Sequence, residues 1–329
     1  MGEKDRHGVP DHDEDPGSGR NPGLWQAERT GQMSDMPRSP PHTDRLTVET
    51  VSPTRHPGDP ASVRGTRRCR RLDRPTDIAI TSTIDTTEYA VNDLSGSTVV
   101  VIGGTSGIGL ETARQAHAAG AQIVISGRDE TRLAVARDEL DASATRLDLG
   151  DAAGLHRFFT ELPAPVDHVL VAGGGPIYAP IVDMDFDLAR NVLDEHLLGS
   201  LRVARECATY VRPGGSLTYI TGTHARRPGP GLSVAAIAAA ALPAVTANAA
   251  LEIAPVRVNA IAAGFVDTPL SARLLGDELE RRRAELRTAL PIRRVVGPSD
   301  VASLALHLMT NTALTGATYD IDGGQQLIP

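Results

Sequence analysis

Two short stretches of this sequence combine residue types and spacings that do chemistry. In Ile102-Gly103-Gly104-Thr105-Ser106-Gly107-Ile108-Gly109, a Gly-x-x-x-Gly-x-Gly spacing follows a β-branched run and opens directly into a stretch of helical composition. Glycines there permit a tight turn and close approach of backbone to a ligand. The free amides at a helix start, with the positive end of its dipole, favour an anion such as a pyrophosphate. A lone glycine motif can be a merely flexible turn; the strand before and the helix after it favour the phosphate cradle. The second stretch, Ser126-Gly127-Arg128, ends the next strand-like run, about 20 residues on, where a dinucleotide fold reads the ribose of its ligand. An acid at that turn would bind a 2′-hydroxyl and repel a 2′-phosphate. Arg128 instead offers a planar, permanently charged donor fork. NADP(H) is therefore expected in preference to NAD(H), against the plainer reading that Arg128 caps a surface turn.

A cradle of this kind must be held by a parallel sheet. Beyond Asp93, short β-branched runs alternate with Ala/Leu/Arg-rich runs of helical length. Strands are predicted near Thr98 to Ile102, Gln122 to Ser126, Ala144 to Leu147, Val166 to Val171, Ser216 to Thr221, Val256 to Ile261 and Ala317 to Ile321. Helices are predicted near Ile108 to Ala119, Glu130 to Leu140, Ala152 to Glu161, Leu188 to Tyr210 and Leu232 to Ile253. The strands are nearly all apolar, as expected where both faces of a sheet are covered. The rhythm predicts an α/β protein: a single-domain Rossmann fold, a doubly wound parallel sheet with helices on both faces, over residues 93–329.

The rest of the 329 residues reads differently. Residues 1–85 are crowded with Pro, Gly, Asp and Arg and show no apolar period, so a disordered extension is expected. Its basic cluster from Arg64 to Arg71 reads as a solvated charge run, and Met33 or Met36 could be the true start. A net charge of -8 argues against a broad nucleic-acid surface and for small-molecule partners. Cys69 and Cys207 are too few for a disulfide framework or a zinc site; a reducing cytoplasm fits, and no metal is expected. The amino terminus has no apolar signal-peptide core. The Ala-rich run from Ser233 to Ala250 could be read as a membrane segment, but Pro243 and its place after a strand favour a buried helix.

With these residues in hand, the chain from roughly Asp93 onward resembles the short-chain dehydrogenase/reductase family. The resemblance rests on Gly103 to Gly109, Asp148-Leu149, Arg257-Val258-Asn259-Ala260, Gly264-Phe265-Val266-Asp267-Thr268-Pro269, Thr315-Gly316 and Asp320-Ile321-Asp322-Gly323-Gly324. It implies that Gly103, Thr105, Ser106, Gly107, Ile108 and Gly109 cradle the cofactor, and that Asp148 and Leu149 contact its adenine. It further implies that Gly173 approaches the cofactor through backbone, and that Thr268 faces the carboxamide or the pyrophosphate. Members are often dimers or tetramers, and the Ala-rich helix resembles the one through which they pair, so a homo-oligomer is expected.

The same resemblance fails where the family does its chemistry. Ala172-Gly173-Gly174-Gly175 stands in place of Asn-Asn-Ala-Gly, and the family's helix asparagine falls at His196. The family's serine falls at Gly222, with Thr221 and Thr223 on either side to supply a hydroxyl. The Tyr-x-x-x-Lys positions fall at Ala235 and Ala239. No tyrosine occurs between Tyr219 and Tyr319, and no lysine after Lys4, so no realignment restores the pair. Without a lysine to lower the pKa of a tyrosine that passes the proton, ordinary alcohol–ketone interconversion should suffer. Substrates that need no tyrosine remain: an iminium carbon, which takes hydride to give a neutral amine, or an activated enone. Carbonyl reduction also remains if His196, His224 or Tyr178 acts as a replacement acid. His196 could instead be a packed histidine, His224 is expected to be exposed beside Arg226 and Arg227, and Tyr178 could line the mouth or merely pack. The residues Thr268 to Glu285 read as a mobile substrate lid or a plain surface helix. The expected function is an NAD(P)-dependent oxidoreductase, with an inactive cofactor-binding protein or a non-redox enzyme as alternatives.

Overall fold

In the first strand, β1 (Thr98–Ile102), every residue is buried, because its alternating side chains enter two different cores. Val99 and Val101 pack with Ala113 and Ala116 of α1 (Gly107–Ala118), Leu133 and Ala136 of α2 (Glu130–Leu140), and Val301 and Ala305 of a later helix. Val100 and Ile102 pack on the other face with Leu155, Phe158 and Phe159 of α3 (Ala152–Thr160) and with Val203, Cys207, Leu242 and Ala249 from later helices. Each such aliphatic side chain contributes about 1.5–3 kcal/mol on burial, and the apolar strand is the sequence's record of two covered faces. The computed structural model describes residues 93–163 and 165–328. The expectations for residues 1–85 lie outside the described residues.

The remaining elements are β2 (Gln122–Gly127), β3 (Ser143–Arg146), β4 (Val166–Val171), α4 (Phe186–Leu193), α5 (Gly199–Tyr210), β5 (Val211–Gly222), α6 (Ser233–Glu252), β6 (Arg257–Ala263), α7 (Pro269–Leu275), α8 (Leu279–Ala289), α9 (Pro298–Thr310) and β7 (Thr318–Ile321). The seven strands form one sheet in the order β3-β2-β1-β4-β5-β6-β7. All neighbouring pairs are parallel, so this is the doubly wound α/β sheet of a Rossmann fold. The winding reverses between β1 and β4, and such a reversal opens a crevice at the strands' carboxyl ends.

Three elements differ from the sequence expectation. The helix expected across Leu188 to Tyr210 is broken by a π-helical turn at Asp194–Leu198. Side chains stitch the carbonyls there: His196 Nδ1 lies 2.9 Å from the Val192 carbonyl oxygen, and Ser200 Oγ donates to that of His196 at 2.6 Å. The strand expected from Ser216 begins at Val211, reaching back through Pro213 and Gly214. Helix α9 has no counterpart in the expectation, although Gly297-Pro298-Ser299-Asp300 marks its start: Asp300 Oδ2 accepts the Gly297 amide at 2.9 Å. Among the described helices α6 is long and apolar enough to cross a membrane. Here it lies on β5 and β6, with Val234, Ala235, Ala238, Ala239, Leu242, Thr246 and Ala249 buried at helical spacing, as the reading of a buried helix requires.

Candidate functional site

The glycine turn after β1 is built as a cradle. Gly103 takes φ +88, and a Cβ there would fall 2.6 Å from the Gly173 nitrogen, so the carboxyl ends of β1 and β4 approach as only glycine allows. Its amide and that of Gly104 donate to the Ser126 carbonyl at 2.9 and 3.0 Å, binding the turn to β2. Helix α1 then starts after an extended Ser106 whose side chain makes no capping bond, so the first-turn amides of Gly107 and Ile108 have no side-chain cap from it. Thr105 packs on Gly127, and the Thr268 side chain lies 3.4 Å from the Cβ position of Gly107. Thr268 is held there as the N-cap of α7, exchanging bonds with Ser271 in a capping box. Gly103, Thr105, Ser106, Gly107, Ile108, Gly109, Gly173 and Thr268 therefore gather around one turn.

Beside the cradle lie Arg128, Asp148 and Leu149. Asp148 Oδ1 accepts the Gly150 amide at 2.9 Å, a local turn that fixes the chain after β3. Buried Leu149 packs within 3.5 Å of the Cβ positions of both Gly173 and Gly199, between the cradle and the start of α5. Arg128 pairs with Glu195 of the π turn, Nη1 to Oε1 at 3.2 Å. Glu195 is a residue that the sequence reading missed, because nothing in a helix interior signals a partner on another strand.

At the other end of the crevice two imidazoles occupy space that glycines leave open. A Cβ on Gly174 would fall 2.8 Å from His196 Cε1, and one on Gly222 would fall 2.5 Å from His224 Nδ1. His224 is half-buried rather than exposed. Its neighbours hold it so: Arg226 pairs with Asp320 at 2.8 Å, and Arg227 donates to the Gln325 carbonyl. His224 Nε2 lies 3.1 Å from Tyr178 Oη. Burial lowers the pKa of His224 below its ordinary value and raises that of Tyr178, so at neutral pH both are uncharged and one proton lies between them. Thr221 is half-buried at the end of β5, whereas Thr223 is 6% exposed and its amide donates to the Ala263 carbonyl. Ala235 and Ala239 are buried on α6, the helix against which the turn that carries His224 packs. Tyr219 is buried with its hydroxyl donating to the Ser200 carbonyl at 2.8 Å, a structural bond.

Two segments wall the crevice. The Ala179 amide donates to the Gly231 carbonyl at 3.0 Å, tying the Pro176 to Pro180 loop to the turn before α6. Leu270 of α7 lies 3.9 Å from the Cβ position of Gly175, so the segment expected to be a lid starts above the Ala172 to Gly175 turn. A recess of about 400 Å³ lined by His156, Arg205, Glu206, Thr209 and Tyr210 lies on α3 and α5. It contains none of the cradle residues, and the strand reversal places the ligand crevice elsewhere.

Residues 102–326 match the family model described as Enoyl-(Acyl carrier protein) reductase. Short-chain dehydrogenase/reductase malC of Malbranchea aurantiaca is 27% identical over 253 residues, spanning 71% of this chain and 96% of that protein. 3beta-hydroxysteroid dehydrogenase 1 of Eggerthella lenta is 29% identical over 254 residues, spanning 72% and 97%. The solved MalC Reductase/Diels-Alderase from Malbranchea aurantiaca superposes with a TM-score of 0.68 at 26% identity, covering 72% of this chain and 99% of its own. A small-chain dehydrogenase solved in complex with NADPH superposes with a TM-score of 0.61 at 29% identity, covering 70% and 99%.

Proposed function

The chain belongs to the short-chain dehydrogenase/reductase family, and on that footing we propose that it is an NADPH-dependent reductase of a small carbonyl, enone or iminium substrate. In this reading, acid catalysis has moved from Ala235 and Ala239 to Tyr178 and His224. The observation that carries it is the hydrogen-bonded Tyr178–His224 pair, with the imidazole in the space left by Gly222 at the end of β5. The residues present fit the cofactor: close backbone approach at Gly103 and Gly173, uncapped amides at the start of α1, Thr268 against Gly107, and a cation at the β2 turn.

When bound, the reduced nicotinamide supplies a hydride. Tyr178 and His224 supply the proton that ketone and enone reduction also need: Tyr178 donates its hydroxyl proton to the developing oxyanion and takes one back from the protonated His224, which is left neutral and regains its proton from solvent. For an iminium substrate the chain's part is smaller, since hydride addition gives a neutral amine and no proton must be delivered. A neutral imidazole at 224, held so by burial, suits that cation better than a charged one would. His196, braced by the Val192 carbonyl and packed on Gly174, shapes the crevice floor, and Thr221 offers a second hydroxyl.

The half-exposed apolar side chains Leu198, Leu201 and Ile237 and the more exposed Leu251, on the π turn, α5 and α6, support a homo-oligomer, dimer or tetramer. We read the location as cytoplasmic from the composition.

The test is NADPH oxidation with a panel of ketones, enones and cyclic iminium salts, on wild type, Tyr178→Phe and His224→Ala. Turnover in at least one class is expected. For ketones and enones the variants should lose about 100-fold in kcat, and for iminium salts only a few-fold. NADPH binding without turnover of any class would sink the reductase reading. Unchanged ketone and enone rates in both variants would sink the acid assignment.

A further inference from the structure

We propose that Glu195 sets the choice between NADPH and NADH, by holding Arg128 until a 2′-phosphate displaces it. The inference rests on the reading of Arg128 as the 2′-phosphate ligand. Among the described residues the other cations near the β2 turn pair within their own neighbourhood: Arg132 with Asp129 at 3.0 Å and Arg146 with Glu130 at 3.7 Å. Arg128 instead reaches Glu195, 67 residues away in sequence, on the π turn that follows α4. The adjacent acid on that turn, Asp194, is already taken by Arg202 at 2.9 Å.

The position of the π turn gives the pair its meaning. At one end His196 packs on Gly174, where the nicotinamide half of the crevice begins. At the other Gly199 packs on Leu149, where adenine is expected. Glu195 lies on the same turn, next to His196, its side chain 17% exposed against 56% for Arg128. The carboxylate is therefore the fixed partner and the guanidinium the movable one.

A 2′-phosphate brings nearly two negative charges to a fork that carries one positive charge. It cannot share Arg128 with Glu195 without strong like-charge repulsion, so its arrival breaks the ion pair. A 2′-hydroxyl has no such conflict: it can donate to the free oxygen of Glu195 while the pair remains. Glu195 thus penalises NADPH and supports NADH, holding the selectivity that Arg128 confers below its ceiling. Specificity here depends on the repulsive element as much as on the attractive one.

The test uses fragments that carry only the adenosine end, titrated calorimetrically: 2′,5′-ADP, which has the phosphate, and 5′-AMP, which lacks it. Wild type is expected to prefer 2′,5′-ADP. Glu195→Gln should raise that preference about fivefold, chiefly through tighter 2′,5′-ADP binding, and Glu195→Asp, which withdraws the carboxylate by one methylene, should give a smaller rise. In an Arg128→Ala background Glu195→Gln should no longer favour the phosphate through the pair, so the double-mutant cycle should show coupling. An unchanged preference in Glu195→Gln, with Arg128→Ala still abolishing it, would overturn the role of Glu195 and leave that of Arg128 standing. No preference in wild type would overturn the NADPH reading, and this inference with it.

Discussion

At residue 224 the local electrostatics make a pH-dependent forecast possible. Burial holds the His224 pKa below 6.5, so its acid form is scarce at neutral pH and grows as pH falls through that lowered value. The charged side chains beside it, Arg226 and Arg227, are turned to Asp320 and to the Gln325 carbonyl, and Tyr178 faces it as a neutral phenol. Reduction of a ketone or enone consumes a proton. On the proposed assignment its kcat/KM should therefore rise as the medium goes from about pH 7.5 to about pH 5.5, and His224→Ala should flatten that rise. An iminium substrate should show no rise, because it takes no proton and a charged imidazole repels it. A wild-type profile that falls with acid for ketones, or one that His224→Ala leaves intact, would exclude the imidazole as the source of the proton.

At the scale of elements, α7 is the piece that joins cradle to lid. Its capping box depends on Thr268, whose amide donates to Ser271 Oγ at 2.8 Å and whose hydroxyl receives the Ser271 amide at 3.3 Å. Thr268→Val keeps the shape and removes the oxygen. It should fray the start of α7, cost about 1 kcal/mol in thermal or denaturant unfolding, and weaken NADPH binding in the same variant, which calorimetry would read. The sheet and the cradle were legible in the sequence because their physical demands fall on single residue types. Two covered faces demand apolar strands, and close backbone approach demands glycine, so β1, β4 and Gly103 to Gly109 could be read directly. That no tyrosine lies between Tyr219 and Tyr319 and no lysine after Lys4 was equally plain. The Tyr178–His224 contact was not, since its partners are 46 residues apart and meet only when two loops fold against each other. His224 looked exposed because two arginines follow it, but Arg226 turns to Asp320 on β7 and Arg227 to the Gln325 carbonyl beyond it, and the imidazole is half-buried. The π turn escaped notice for a related reason: one extra residue in a helical turn barely alters an apolar period, and its signature is a pattern of carbonyls rather than of side-chain types.

For the whole molecule, two forecasts concern stability and assembly. His168 lies buried on β4 with Ser216 Oγ 2.9 Å from its Nδ1, and desolvation, only partly offset by Asp167, lowers its pKa from 6.5 to about 4. The folded chain keeps this ring neutral while the unfolded chain takes a proton, so its contribution is present above pH 6.5 and is lost as pH falls towards 4. The loss amounts to about 3 kcal/mol over that window. His168→Gln should lessen the slope of unfolding free energy against pH there; an unaltered slope would show that other groups govern acid unfolding. The proposed oligomer is tested by light scattering on wild type and on Leu201→Glu with Ile237→Glu: a mass above one chain that falls to one chain in the variant is expected, and a monomeric wild type would refute it. The fit of His224 over Gly222 has one more consequence, for how such a site can change over time. A side chain at position 222 would meet the imidazole at 2.5 Å, so a serine there requires His224 to turn aside. In the proposed mechanism that turn breaks the contact with Tyr178, so a hydroxyl gained at 222 comes at the expense of the acid already in place. Gly222 thereby couples the two positions: a change at one is felt at once by the other.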